Sequence, residues 1–600
     1  MENVSKMTPH DIFIKIVRYE VPPFQRRYTW GKEEQWEPLW DDVSAQAEAI
    51  LEHGQTDKHF MGAIVLQQRL TPASGIETRI VVDGQQRLTT LQLLIDAIQE
   101  VFEQSGHSGA ASRLAFMVQN QEAFIGGNPD RNVAFKVWPT INDQAAFRQA
   151  MKNDLPSDKY KTSRIVEAHN YFKGKTEQWL QVYLGEDDQR EEAAEALDRA
   201  VRDYLELVVI DLGQSDDPHI IFETLNARGT PLLPSDMIKN QILHKAGIGS
   251  DEDSEQLLGE AEKLWGFSED WWAQEIGRGY QRRPRIDVYL NNWLTVKNQS
   301  ETKAQNEFAV FSDYVEEAEK CGKTIQSIAA DIRRLGDIYR DIYQHRLPEI
   351  EQFLYRHQVM GIGVVVPVLL WLLSSDVPKP QLSKSITAIE SYLIRRMACG
   401  LSARGYSRVF VGMLQELESA GHNDADDTIV DYLLRQTAYA NLWPDDTALL
   451  NAFLTQPLYR SLTQRRLNLI LQGIEGALRT PMADTQQVPR NLTIEHIMPQ
   501  AWGQNWNEFP DDVEDREQAA IERDRIIHTM GNLSLTTGRL GSSLSNRPWS
   551  EKREILREHF NLSLNKDYVD EAKWDEKAIE ERARRLAQVA IKVWPHADGI

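Results

Sequence analysis

Residues 78–104 pass from one backbone period to another across five positions. Residues 78–82 are rich in β-branched side chains and predict a strand. Leu88, Leu91, Leu94, Ile95, Ile98 and Phe102 recur at helical spacings and predict one apolar helix face. Only Asp83-Gly84-Gln85-Gln86-Arg87 stands between them. Such a chain turns at the glycine and presents the unbonded first N–H groups of a helix just past a strand end. That terminus attracts phosphate, and Arg87 adds a fork of donors. Residues 62–70 (GAIVLQQRL) predict a second strand, joined through the turn-rich TPASG as a hairpin. A later strand is expected at Leu205–Leu212, then a helix ending near Ala227-Arg228-Gly229 with Gly229 in the left-handed position. Ser235 is expected to cap the next helix, over 236–246.

A chain of 600 residues suggests several domains. The reading is an α+β multidomain protein, mostly helical, with a mixed domain over 1–247, a helical middle region over 248–444 and a third domain over 445–600. In the middle region strand signals fade and Trp265, Trp271, Trp272 and Trp293 serve as apolar anchors. The polar, acidic 247–254 reads as a linker. There is no fixed-period repeat and no GxxxxGK[ST] string, so a P-loop nucleotide site is excluded. The net charge of −23 argues against a wholly basic nucleic-acid-coating protein, though not against a local basic groove. Cys321 and Cys399 are the only cysteines, which excludes a zinc ribbon, an iron–sulfur site and a disulfide framework. A reducing, cytoplasmic setting is expected, with no signal peptide. The longest apolar run, 360–373, contains Pro367 and falls short of the roughly 20 residues a membrane span needs.

The densest chemistry lies near the C-terminal end. NLTIEHIMPQ over 491–500 places Glu495 and His496 at the end of a short strand, GNLSL over 531–535 predicts a second strand, and Asn546 precedes Lys552 by six residues. This strand–loop–strand–helix order resembles the HNH, or beta-beta-alpha-metal, nucleases. The resemblance implies His496 as general base, Glu495 and Asn546 as ligands of Mg²⁺ or another divalent cation, and Asn532 as the brace that aims the histidine. Such a site works because a neutral imidazole removes a proton from water while a hard cation on oxygen ligands neutralises the phosphate and the leaving oxyanion. Two features depart from compact HNH motifs: the 36-residue gap from His496 to Asn532 and the absence of cysteine pairs. His528, four residues before Asn532, reads either as a second active-site group or as a structural residue, the structural role being favoured.

The glycine turn carries a second resemblance. DGQQR, preceded by VPPFQRRYTW over 21–30 and followed by FETLNARG over 222–229, is similar to the N-terminal domain of GmrSD-type modification-dependent restriction proteins, with a ParB-like fold. Members of that group pair such a domain with an HNH nuclease. The resemblance implies binding or hydrolysis of a nucleoside triphosphate (GTP favoured; ATP, CTP or UTP also compatible) and sensing of modified double-stranded DNA. Asp83, Gly84, Gln85, Gln86 and Arg87 match the nucleotide box, with Asp83 also assigned a part in hydrolysis. Asn226 and Arg228 match a weaker second motif, where capping a helix end explains them equally well.

Basic side chains supply candidate DNA contacts. Arg278, Arg282, Arg283 and Arg285 surround Tyr280; Arg395, Arg396, Arg404 and Arg408 form a second group; Arg547 and Lys552 belong to a third between 539 and 557. Solvated helix faces and internal ion pairs are the competing explanation. Arg26 and Tyr28 lie in an aromatic and proline segment suited either to a modified base or to ordinary packing. The expected activity is NTP-regulated cleavage of modified DNA in anti-phage defence, without a membrane partner and compatible with a homodimer. The alternatives are a phosphorothioate-sensing nickase and a DNA-binding signalling protein with a degenerate nuclease.

Overall fold

The computed structural model describes the chain apart from residues 1–2, 23–24, 26, 70–75, 122–130, 152–159, 161, 184–186, 214–232, 248–253, 278–281, 480–487, 507, 510–514 and 560. Arg26, Asn226, Arg228, Gly229, Arg278 and Tyr280 therefore lie outside the described residues. The protein is mostly helical with a small mixed sheet. It forms two compact units: Met1–Gln274 with Glu319–Ala329, and Glu275–Ala318 with Ala330–Ile600.

The first unit is built on six strands: β1 (Asn3–Met7), β2 (Val17–Glu20), β3 (His59–Gln68), β4 (Glu77–Asp83), β5 (Val137–Trp138) and β6 (Leu205–Leu212). Their order is β1-β6-β3-β4-β2-β5. β3 and β4 pair antiparallel, as the hairpin reading expects, while β6 runs parallel to β3. The helix Gln85–Gln104 begins directly after β4, and the apolar side chains that announce it, from Leu88 to Phe102, are buried. The helix expected at 236–246 starts instead at Pro234 and runs to Lys245. Proline suits a first helical position because its missing N–H would have no partner there, so Ser235 sits inside the first turn.

The second unit contains most of the helices expected of the middle region, those at Ser254–Trp265 and Asp270–Ala273 belonging to the first, and two short hairpin pieces, β7 (Glu275–Ile276) and β8 (Arg283–Pro284). The apolar run at 360–373 is split. One helix, Glu351–Met360, stops at Gly361 (φ 68°), and a second, Val366–Ser374, begins with Pro367 in its first turn and is buried. Among the described residues no helix is long and apolar enough to cross a membrane.

The middle helices and the C-terminal region are packed as one body. Arg395, fully buried, donates to Trp594 O (2.6 Å), to Pro444 O (3.1 Å) and to Asp446 (2.7 Å). Ser391 Oγ donates to Pro595 O at 2.6 Å. A piece starting near 445 carries every residue of the HNH-like set but leaves these partners behind.

Within this unit β9 (Thr493–His496) pairs antiparallel with β10 (Leu533–Thr536), His496 opposite Leu533 and Glu495 opposite Ser534. The helix Glu576–Val593 lies against the ribbon. Arg582 donates to Gly531 O and Leu533 O, each at 2.8 Å. A Cβ on Gly531 would lie 2.0 Å from Ile579 O, so only glycine lets the two backbones approach this closely.

Candidate functional site

Successive side chains of a strand point to opposite faces, so β9 presents Glu495 on one face and His496 on the other. His496 is 7% exposed, with its Nε2 3.3 Å from Nδ1 of His528. Tyr459, from the short helix Leu458–Ser461, sits against both rings, with centroids 4.2 Å from His496 and 5.8 Å from His528. Burial, then the neighbouring His528, Lys552 and Arg460, pull the His496 imidazole down to about 3. Burial also lowers His528, with Arg460 adding to it. His528 thus touches the candidate base. Tyr459 and Arg460 lie too far along the sequence from His496 to have been linked to it.

The sign of this shift has a consequence for stability. The folded chain holds His496 neutral down to about pH 3, whereas the unfolded chain protonates it near 6.5. The unfolded state therefore binds more protons over that window, and stability falls as pH drops from about 6.5 toward 3. The unfolding midpoint of the full chain is expected to fall between pH 7 and pH 4.5. In His496→Gln the fall should be shallower, and equal slopes in the two proteins would contradict a buried neutral imidazole.

Asn532 is tied into the ribbon end on every side. Its side chain accepts from Met498 N (2.8 Å) and Trp574 Nε1 (3.0 Å) and donates to Met498 O and Ile527 O (both 2.9 Å). Fully bonded and buried, it fixes the backbone two residues past His496 and acts by positioning.

Glu495 meets a cation from the chain itself. Lys552 Nζ donates to Glu495 Oε1 (3.0 Å) and to His496 O (2.9 Å). Lys552 is 1% exposed, so it is no surface contact for DNA, contrary to expectation. Burial pushes the Glu495 carboxyl up and the Lys552 ammonium down, while their mutual attraction opposes both shifts. The other carboxylate oxygen, Oε2, faces Gly541. A Cβ there would lie 3.6 Å from it, 3.0 Å from Thr536 Oγ1 and 3.8 Å from Thr493 Oγ1. Thr536 Oγ1 is buried without a hydrogen-bond partner. Hard, mostly neutral oxygens around one carboxylate fit Mg²⁺, which commonly keeps several waters. Among the described residues no three His, Cys, Asp or Glu side chains cluster as a metal site. Asn546 is exposed, and its backbone oxygen accepts from Asn505 Nδ2 at 2.7 Å.

In the first unit the structure joins two of the quoted strings. Gly84 has φ 91°, and a Cβ on it would lie 2.5 Å from Ile64 Cγ2. Gly84→Ala is expected to cost at least about 1–2 kcal/mol from the left-handed backbone alone, with the Ile64 clash added. A melting temperature matching the parent's would contradict this geometry. Gln86 is buried, with Oε1 accepting from Thr29 N (2.8 Å) and Nε2 donating to Arg27 O (3.1 Å). Its amide is committed to the 21–30 segment, so Gln86 is a clamp and its side chain is not open to a nucleotide. Tyr28 is likewise buried: its hydroxyl bonds Thr90 Oγ1 (2.7 Å) and accepts from Trp36 Nε1 (3.0 Å), which removes it from the DNA-facing set. Arg87 Nη1 donates to Ala63 O at 2.9 Å and lies across Gly62. The Asp83 carboxylate has no hydrogen-bond or ion-pair partner among the described residues, and Gln85 opens the helix beside it.

The arginine groups divide. Arg283 pairs with the buried Glu307 (2.6 Å), and Arg396, fully buried like Arg395, donates to Leu442 O and Ala440 O (both 2.7 Å). These are internal. Arg547 is exposed but tied to Glu551 (2.8 Å), while Arg282, Arg404 and Arg408 are exposed. The competing explanation given for basic runs, ion pairing within the fold, therefore holds for Arg283, Arg395 and Lys552, while Arg396 is spent on backbone carbonyls. A buried arginine and a DNA-facing one look alike in sequence.

Residues 10–243 match the family model of the GmrSD restriction endonuclease N-terminal domain. Residues 443–589 match that of the GmrSD restriction endonuclease C-terminal domain. No curated protein matches the chain. The two matches follow one another in chain order, take in both sites described above and together cover more than half of the sequence. The chain belongs to the GmrSD restriction endonuclease family, and DNA is the substrate of such an enzyme.

Proposed function

We propose that this chain is an HNH-type, divalent-metal-dependent DNA endonuclease whose cutting is governed by DNA modification and a nucleoside triphosphate. The observation that carries the nuclease half is the end of the β9–β10 ribbon, where Glu495 and His496 hold consecutive positions and Asn532 bonds both backbone groups of Met498. His496, a neutral imidazole with one nitrogen lone pair free to accept, takes a proton from water. Burial, with His528, Lys552 and Arg460 adding to it, depresses its basicity in the free protein. An arriving phosphate brings negative charge beside it and raises that basicity when it is needed. Lys552 holds Glu495 and the His496 carbonyl in one arrangement. Glu495 Oε2 and the Asn546 amide would hold the Mg²⁺, which supplies charge for the phosphate and the leaving oxyanion.

The regulatory half rests on the glycine turn. The N–H groups of Gln86 and Arg87 lie in the first turn of a helix, where no intrahelical acceptor precedes them. Arg87 keeps part of its fork, and among the described residues the Asp83 carboxylate is uncommitted. These groups suit a triphosphate, with Gln86 supplying the scaffold beneath them.

The test is digestion of matched duplexes that are unmodified, methylated, hydroxymethylated, glucosylated or phosphorothioated, with Mg²⁺ or a chelator and with GTP, ATP or neither. Cleavage should need Mg²⁺, one modification class and a nucleotide. Cutting that ignores modification and nucleotide would remove the regulated reading. Failure to cut any duplex with any divalent cation would remove the nuclease.

A further inference from the structure

One contact at the ribbon end has no part in that mechanism. His496 Nε2 and His528 Nδ1 are 3.3 Å apart, with the ring planes at 89°. Two neutral imidazoles so placed share a single hydrogen, one nitrogen donating and the other accepting. Their positions are fixed from several sides. His528 lies in the turn after the helix Arg516–Ile526, four residues before the braced Asn532. Its backbone oxygen accepts from Tyr459 N at 3.2 Å, and the Tyr459 ring covers both imidazoles. Lys552 holds the His496 carbonyl. The second ring nitrogen of His496, Nδ1, takes no part in this contact, which engages Nε2 alone.

We infer that His528 is a positioning residue for His496, accepting the Nε2–H of His496 at its own Nδ1 and so leaving the lone pair of the other ring nitrogen, Nδ1, to take the proton from water. With the hydrogen shared the other way, His528 would donate to Nε2. The neutral His496 would then carry its hydrogen on Nδ1 and could accept nothing from the water side. The direction of one hydrogen bond thus decides whether His496 is a base. The water proton goes to Nδ1, and Nε2–H stays on His528 throughout, a bond that strengthens as His496 becomes cationic. The inference rests on the nuclease reading, but the tautomer it requires is a property of the resting protein.

Two measurements on the full chain test it. In the first, nitrogen NMR with labelled histidine, the His496 signal being assigned by its loss in His496→Ala, should show the Nε2–H tautomer in the parent and a mixture in His528→Leu. A parent with hydrogen on Nδ1 overturns the inference, whether or not the protein cuts DNA. The second is steady-state cleavage of a duplex the parent cuts, with Mg²⁺. His528→Leu should lose about 10²-fold in kcat, the scale of a misaimed reacting group, with KM unchanged. His528→Asn, whose Oδ1 falls where Nδ1 was and can only accept, should recover most of the loss. Parental kcat in His528→Leu, or no recovery in a folded His528→Asn, overturns the inference. Full activity in His496→Ala would instead sink the nuclease assignment while leaving the tautomer result standing.

Discussion

His496→Ala is expected to lower Mg²⁺-dependent DNA cleavage by about 10²–10⁴-fold, the usual contribution of a positioned general base. The loss should fall on kcat, since the side chain is buried at the end of β9 and offers little surface for DNA to grip. Nucleotide turnover, if the glycine turn supports it, should be unaffected, because that turn belongs to the other compact unit. Folding should survive, and at acid pH the variant should be relatively better off, having lost a buried group that resists protonation. Quenched-flow cleavage of a duplex by equal concentrations of folded parent and variant gives the ratio directly. A parental rate in the variant would leave Glu495, Asn532 and Asn546 as a scaffold without its chemistry and would end the HNH reading.

Lys552→Met should have the largest effect on stability. The ammonium is 1% exposed and bonded to Glu495 and to the His496 carbonyl. Removing one member of a buried pair strands the other charge, at a cost of about 3–5 kcal/mol. The carboxyl, already pushed up by burial, should respond by taking a proton. Glu495→Gln combined with Lys552→Met should recover part of the loss, since neither member is then charged. If Glu495 is also the metal ligand, Mg²⁺ should raise the melting temperature of Lys552→Met more than that of the parent, because a cation that binds only the folded state stabilises it by mass action. Thermal unfolding of the three proteins across a Mg²⁺ titration measures both effects. An unchanged midpoint in Lys552→Met would contradict the buried pair, and indifference to Mg²⁺ would remove Glu495 from the metal site.

What the sequence disclosed was local. The turn at Gly84 was legible because a strand, a glycine and a helix period meet there, and each leaves its own mark on side-chain spacing. The same holds for β9 and β10, although Asn532 sits just ahead of its strand, in a short helical turn. Strands β1, β2 and β5 were not foreseen, being two to five residues long and placed by pairing with distant partners. The candidate site was legible in His496, Glu495 and Asn532, which share two short motifs. Tyr459 and Arg460 were hidden because they come from a four-residue helix that only folding brings to the ribbon. Charge was the least reliable guide. Lys552 and Arg283 read as phosphate contacts, yet each serves a buried carboxylate; Tyr28 and Gln86 read as ligand contacts, yet each secures backbone or side chains within the domain.

The packing of Gly531 against Ile579, with Arg582 bonding the carbonyls on either side of Asn532, also sets an order of events during synthesis. The ribbon is translated before the helix that completes it, so a growing chain displays Glu495 and His496 while the support that fixes Asn532 has yet to be made. Domains earlier in a chain generally fold first, so the DGQQR domain can be in place before the cutting centre is assembled. A ribosome-bound or prematurely terminated product lacking residues 576–593 would then be harmless to the DNA of the cell that makes it.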